Sequence, residues 1–297
     1  MPAATVPPER ASLLMAGALA LLAGACGGAT PLLHPAHTLA PGKVSFGVGA
    51  SGTFLAGDAG SSIDEATAVT SSGGPTTDAE RQKVVEGTIT SVLAAPGVAP
   101  WIGGRVGIAE RTEAGVAYTG RWARLDARHA FEDRKFALSI GVAALALLSH
   151  PSSDPDEPSG TNAYVAGVDA SGANGFGFQV PVLVGYRSDA EVVQAWGGVV
   201  GTFEQAFGTV VLSNASSAPP DPTDPTGGAN EFELDAHRFS GAAVLGLAIG
   251  IQPIWVAVEL TGRYFSLEGS LHDSGINARS DLTGFSLEPA GALLGRF

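Results

Sequence analysis

KVSFGVGASGTFL, residues 43–55, keeps a two-residue alternation along almost its whole length. Val44, Phe46, Val48, Ala50 and Phe54 share one face, while Lys43, Ser45, Gly47, Gly49, Ser51 and Thr53 share the other. Period two is the pattern of a strand with one apolar side. GFGFQVPVLVGYR, residues 175–187, repeats it, with Phe176, Phe178, Val180, Val182, Val184 and Tyr186 opposite Gln179 and Arg187. Leu245, Leu247, Ile249 and Ile251 continue the theme, as do Val256, Val258, Leu260 and Tyr264 against Glu259, Thr261 and Arg263. Gly numbers 41 and recurs every few residues, which is costly inside helices, so few helices are expected.

Ten segments read this way, near 43–55, 83–95, 100–110, 114–131, 136–149, 175–187, 191–213, 237–251, 254–268 and 280–297. If 114–131 holds one strand or two, the count runs from eight to twelve. Long polar stretches at 56–82, 150–174, 214–236 and 269–279 alternate with tight turns at 96–99, 132–135, 188–190 and 252–253. One tight turn, at Arg111-Thr112, falls on the side reserved for long loops. The pattern predicts an all-β fold, a transmembrane antiparallel up-and-down β-barrel with long loops on one side and short turns on the other. A closed barrel satisfies every backbone N–H and C=O without an edge, which spanning a bilayer demands. An even strand count places both termini on the short-turn side.

Composition narrows the function. Of 297 residues, 45% are hydrophobic and 15% charged, and 29 acids against 16 bases give a net charge of −13. The four long stretches hold 15 of those acids and two bases, Arg81 and Arg279, which accounts for the whole net charge. No basic stripe offers counterion release, so nucleic acid is not an expected partner. One cysteine excludes a disulfide framework and a thiolate zinc site.

The chain opens with a short stretch ending in Arg10 and then an apolar run, Ala11–Leu22, followed by Ala23-Gly24-Ala25, so residues 1–25 read as an export signal. Leu22-Ala23-Gly24-Ala25-Cys26 resembles a bacterial lipobox, with Ala23 where Leu is usual, and implies lipidation of Cys26 after cleavage. Residues 26–42, with Pro31, Pro35 and Pro41, read as a tether on the short-turn side, leaving 43–297 for the barrel. FSLEPAGALLGRF, residues 285–297, sets Phe285, Leu287, Leu293 and the terminal Phe297 on one face. With the export signal and the dyad repeats, it resembles the C-terminal strand signal of Gram-negative outer-membrane β-barrel proteins. That resemblance is architectural and implies outer-membrane lipid and the barrel-insertion machinery as partners, with no functional subfamily and no catalytic residues.

If the apolar face meets lipid, parity places Glu86, Arg105, Arg121, Gln179, Glu204, Glu259, Arg263 and Glu288 in the lumen, as a plug of ion pairs or as a narrow gate. Asp154, Asp156 and Glu157, with Asp221 and Asp224, offer hard oxygen ligands to a divalent cation or to a basic surface partner. Neither set has EF-hand spacing, and solvated acidic loops explain both. Gly47–Gly52 matches GxGxxG, but within an alternating strand, so no dinucleotide site is expected. Asp126 and His129 read as a solvated turn, and His34 with His37 as too few ligands for a metal. No cofactor and no catalytic constellation are expected. Three readings stay open: a structural or surface-interaction barrel, a narrow channel or small-solute transporter, and a soluble periplasmic lipoprotein whose barrel binds a ligand.

Overall fold

The computed structural model describes residues 27, 29–148, 165, 167–212, 230–273 and 276–297. Its strands are β1 (Val44–Ala56), β2 (Gly97–Ala109), β3 (Thr112–Tyr118), β4 (Trp122–Asp133), β5 (Phe136–Leu147), β6 (Val168–Arg187), β7 (Val193–Leu212), β8 (Asn230–Ile251), β9 (Ile254–Asp273) and β10 (Ile276–Arg296). Each pairs antiparallel with its neighbours in sequence, and β1 pairs with β10 to close the ring. The fold is a ten-stranded up-and-down barrel with the polarity of a transmembrane one. Val44, Phe46, Val48 and Phe54 point outward and are exposed, while Ser51 and Thr53 point inward and are buried. β9 does the same, with Val256, Val258, Leu260 and Tyr264 outside and Glu259, Thr261 and Arg263 inside. A soluble ligand-binding barrel would have the opposite faces.

The helices depart from the expectation. α1 (Asp58–Ser71) and α2 (Asp78–Leu93) lie between β1 and β2, so 56–82 is not an external loop and 83–95 is not a strand. The β-branched run Val84, Val85, Thr88, Ile89, Thr90 and Val92 favours a strand by propensity. It is overridden by a capping box, in which the Thr77 hydroxyl accepts from the Glu80 N–H and the Glu80 carboxylate accepts from the Thr77 N–H. Tertiary burial completes the override, because nine residues of α2 are buried.

The count of ten survives because two differences cancel. Segment 83–95 leaves the sheet, and 114–131 divides into β3 and β4 at Thr119–Arg121. The Arg111 turn thereby moves to the short-turn side, and the anomaly it posed disappears. Residues 97–99, read as part of a turn, open β2 at its loop-side end.

The wall is uneven. β6–β10 run 20 to 22 residues, whereas β1, β2, β4 and β5 run 12 or 13 and β3 only seven. Exposed Phe46 and Phe54 mark the two ends of the short wall's apolar face. Eight residues at roughly 3.3 Å span about 26 Å along the strand, comparable to the apolar band of a membrane barrel. The tall wall adds its extra length on the loop side.

Candidate functional site: a lumen filled by the chain itself

The loop-side half of the lumen is occupied by the helical hairpin. Ala59, Ile63 and Ala66 of α1 and Val84, Val85, Ile89, Val92 and Leu93 of α2 pack against inward residues of the tall wall. Those residues include Ala173, Val210, Leu234, Phe265 and Leu267, so this half is apolar on both sides of the contact. The helices cross closely at Gly87, where an added Cβ would lie 2.3 Å from the Ala66 Cβ. Arg121, in the β3–β4 turn, donates to the Ser91 carbonyl at 3.1 Å and the Val92 carbonyl at 2.8 Å. A cation there answers the orphan carbonyls at the C-terminus of α2.

The turn-side half is occupied by residues 29–42, which run down the lumen before the chain reverses into β1. They are not a tether beneath the barrel. Gly27 lies against the Pro96 carbonyl at the loop-side end of β2, whereas Gly42 donates to the Gly107 carbonyl near the opposite end. Residues 29–37 are buried. Prolines at 31, 35 and 41 reduce the number of backbone donors this strap must satisfy, and the chain bends at Leu33, whose φ is 50°.

The wall supplies the remaining partners through charged side chains. Glu259 accepts from the Leu32 and Leu33 N–H groups at 2.7 and 2.9 Å and from Trp196 Nε1 at 3.1 Å. Glu113 accepts from the Leu39 N–H at 2.8 Å, and Glu132 from the Thr38 N–H at 2.7 Å. Arg124 donates to the Pro31 carbonyl at 3.2 Å, and Arg128 to the carbonyls of Pro35 and His37. Hydrogen bonds to charged groups contribute roughly 1.5–3 kcal/mol each. The strap is therefore fastened at intervals along its length.

Two ion-pair clusters underlie this. In the first, Glu113 lies between Arg105 and Arg128, and Asp126 lies between Arg105 at 2.6 Å and Arg124 at 3.2 Å. In the second, Arg263 grips Glu288 through contacts of 2.8 and 3.2 Å, and Arg238 donates to Glu204 across the β7–β8 register at 2.6 Å. Ser286 adds a third contact to Glu288 at 2.7 Å. Outside the wall, the Asp189 carboxylate meets Lys135 at 2.6 Å between two short turns and holds the ammonium pKa above its ordinary value.

Of the predicted lumen charges, Arg105, Glu204, Glu259, Arg263 and Glu288 face inward as parity required. Glu86 does not join them; it sits on α2 and accepts from Gln82 Nε2 at 2.8 Å. Arg121 caps a helix instead of lining a strand. Gln179 is buried within 3.5 Å of Thr30 and Thr202 hydroxyls. Sequence reasoning missed Glu113, Arg124, Asp126, Arg128, Glu132 and Arg238. The signal was available, since Arg124, Asp126 and Arg128 alternate with Leu125, Ala127 and His129. Asp126 is buried inside and His129 is exposed outside, so they form no pair. Gly47–Gly52 lies in β1, where Gly47 leaves room for Trp101 and Leu294.

Cys26, Asp154, Asp156, Glu157, Asp221 and Asp224 lie outside the described residues. Among the described residues no group of three or more His, Cys, Asp or Glu is placed to hold a metal. Phe285, Leu287, Leu293 and Phe297 face outward on and beyond β10.

No protein-family model matches the chain. No curated protein matches it either. Among solved structures it is similar to Ail, the attachment invasion locus protein of Yersinia pestis, at 10% identity and a TM-score of 0.33, over 86% of this chain and 99% of that one. Neisserial surface protein A is similar at 9% identity and a TM-score of 0.31, over 86% and 99% of the two chains. A major outer membrane protein from Thermus thermophilus is similar at 12% identity and a TM-score of 0.30, again over 86% and 99%.

Proposed function

We propose that this chain is an outer-membrane barrel that spans the bilayer in a plugged, non-conducting state and serves a structural or surface-interaction role through its loop-side face. The observation that carries the reading is the lumen, packed by α1 and α2 in its loop-side half and crossed by the fastened residues 29–42 in the other. Beneath the hairpin, at the level of Arg238, Arg263 and Glu288, a cavity of about 20 Å³ is left, enough for about one water molecule. A conduit needs more.

The apolar outer belt supports the membrane assignment, because soluble proteins rarely expose a contiguous apolar surface of that extent. The loop-side end supports a role in surface contact. Asp58, Asp64, Glu65 and Asp78 on the hairpin, and Glu231 and Glu233 on the outer face of β8, are exposed there. Their field would favour cations or basic partners and weaken with salt. The export signal belongs to the same reading; a lipid on Cys26 is a separate proposal, because Gly27 sits at the loop-side end of β2 and not at a short-turn tether, and palmitate incorporation by the wild type with its loss in Cys26→Ser checks it.

Planar-bilayer recording tests the closed state. The wild type is expected to be silent, and unit current steps should require removal of both fillings, residues 30–39 and 58–93. Reproducible steps from the intact chain would overturn the proposal and favour the narrow channel.

A further inference from the structure

The strap does not fill the turn-side half completely. Between it and the wall lies a cavity of about 510 Å³ that reaches the short-turn rim at Gln252, Pro253 and Phe297. That volume is within the range of small-molecule sites, roughly 300–1,000 Å³.

Its lining has two properties. The first is unspent hydrogen-bonding capacity. Nine buried side-chain atoms among the described residues have no partner, and five of them belong to residues lining this one cavity: both ring nitrogens of His37, Arg124 Nε, Trp101 Nε1 and Trp255 Nε1. The indole and guanidinium nitrogens can only donate, and each imidazole form donates from at least one nitrogen. Buried donors left unpaired are costly, and these lie just behind the cavity surface, out of contact with water, where a small shift of the lining would bring an acceptor within reach.

The second is an excess of positive charge beside apolar surface. Arg105, Arg124 and Arg128 share two ion-pair partners, Glu113 and Asp126, in the inner cluster. Toward the rim, Arg296 has no carboxylate partner among the described residues; it lies 4.4 Å over the Trp255 ring and donates to Gln194 at 3.0 Å. Trp101, Trp255 and Leu294 supply the apolar surface next to these cations.

We propose that this cavity is a binding site for a small amphipathic organic anion, with an aromatic or aliphatic body against the two indoles and an oxyanion head turned to Arg296 and the surplus guanidinium charge, the unpaired donors just behind the surface becoming further partners as the lining adjusts. The site stands on cavity geometry and does not depend on whether the barrel conducts. In a barrel that spans the outer membrane, it would open to the periplasm, because short turns lie on that side. The strap forms one wall of the site, so occupancy and strap order are coupled.

Isothermal titration of the full chain in lipid nanodiscs tests this, with naphthalene-2-sulfonate as the probe and empty nanodiscs as the blank. Uncharged 2-naphthol and cationic 2-naphthylmethylamine are the comparators. Saturable one-site binding of the sulfonate, at least about ten-fold tighter than of 2-naphthol, is expected from a charge-assisted hydrogen bond. Trp255→Phe and Trp101→Phe keep an aromatic ring and remove the N–H donor with part of the indole; each should weaken the sulfonate about three- to ten-fold and 2-naphthol distinctly less. Arg296→Gln should reduce the preference for the anion over the neutral compound. Unchanged heat-modifiable gel migration establishes that each variant is folded. Where a variant fails that control, the wild-type preference alone decides. Equal affinity for sulfonate and naphthol, no saturable binding, or sulfonate binding indifferent to all three substitutions would each overturn the proposal.

Discussion

The two halves of the lumen solve the same filling problem by different physics. On the loop side, a helical hairpin satisfies its own backbone and presents apolar side chains to an apolar wall. On the turn side, a strap without helix or strand cannot satisfy its own backbone, so the wall must offer charged groups, and those groups must first neutralise one another. The hairpin half is packed by dispersion and burial, with a crossing set by Gly87. The strap half is held by electrostatics and keeps a cavity. Secondary structure in a plug thus determines whether the surrounding wall must be polar.

The largest effect should come from breaking the electrostatic half. Glu113→Ala leaves Arg105 and Arg128 without a shared carboxylate and frees the Leu39 N–H. Losing one partner of a buried charge cluster typically costs about 3–5 kcal/mol. Urea titration of the folded barrel in detergent micelles reads the loss, and hydrogen exchange should show deprotection of 29–42 while 58–93 stays protected. Deprotection of both segments together would mean that the halves are one cooperative unit.

A substitution in the apolar half should give the reverse. Gly87→Leu forces a side chain into the space of Ala66 and Ser62, and overpacking of this kind costs about 1–3 kcal/mol. Exchange should quicken across 58–93 and not across 29–42.

Thr77→Ala removes one arm of the capping box at the start of α2, for about 1 kcal/mol, read as faster exchange in its first turn.

The smallest effect is a pH dependence. Backbone and side-chain donors of Thr76 and Thr77 hold the Glu80 carboxyl pKa below its ordinary 4.5. A depressed folded pKa means that this contribution is fully present above 4.5 and is lost as pH falls through the lower, folded value. Amide exchange at the first turn of α2, corrected for intrinsic rate, should rise below that pH in the wild type and much less in Glu80→Gln.

The same contrast explains what was legible in the sequence. Strands that face lipid on one side and polar groups on the other carry a period of two, so β1, β6, β8, β9 and β10 could be read directly. Parity then placed Glu204, Glu259, Arg263 and Glu288 inside without any knowledge of their partners. The fillings have no such period. The strap is a Pro-rich stretch whose burial depends on Glu259, Glu113 and Arg128, each more than 70 residues away. α2 is rich in β-branched residues, and the local evidence against a strand was the Thr77–Glu80 pair. The Arg111 turn carried the same information at the level of topology, because it could not be placed on the correct side while 83–95 remained a strand.

Both fillings adjoin the same strand. Residues 29–42 run directly into β1, and α1 follows it after Gly57. β1 is also the seam of the barrel, and its ladder to β10 lapses between Ser51 and Phe54, where Glu288 and Pro289 lie opposite. Proline has no N–H to contribute to such a ladder. In mechanical terms, β1 is a tie rod anchored at both ends to the contents of the vessel and joined along one side by an interrupted weld. A load carried along the chain from either filling is delivered to the strand that forms the closing joint.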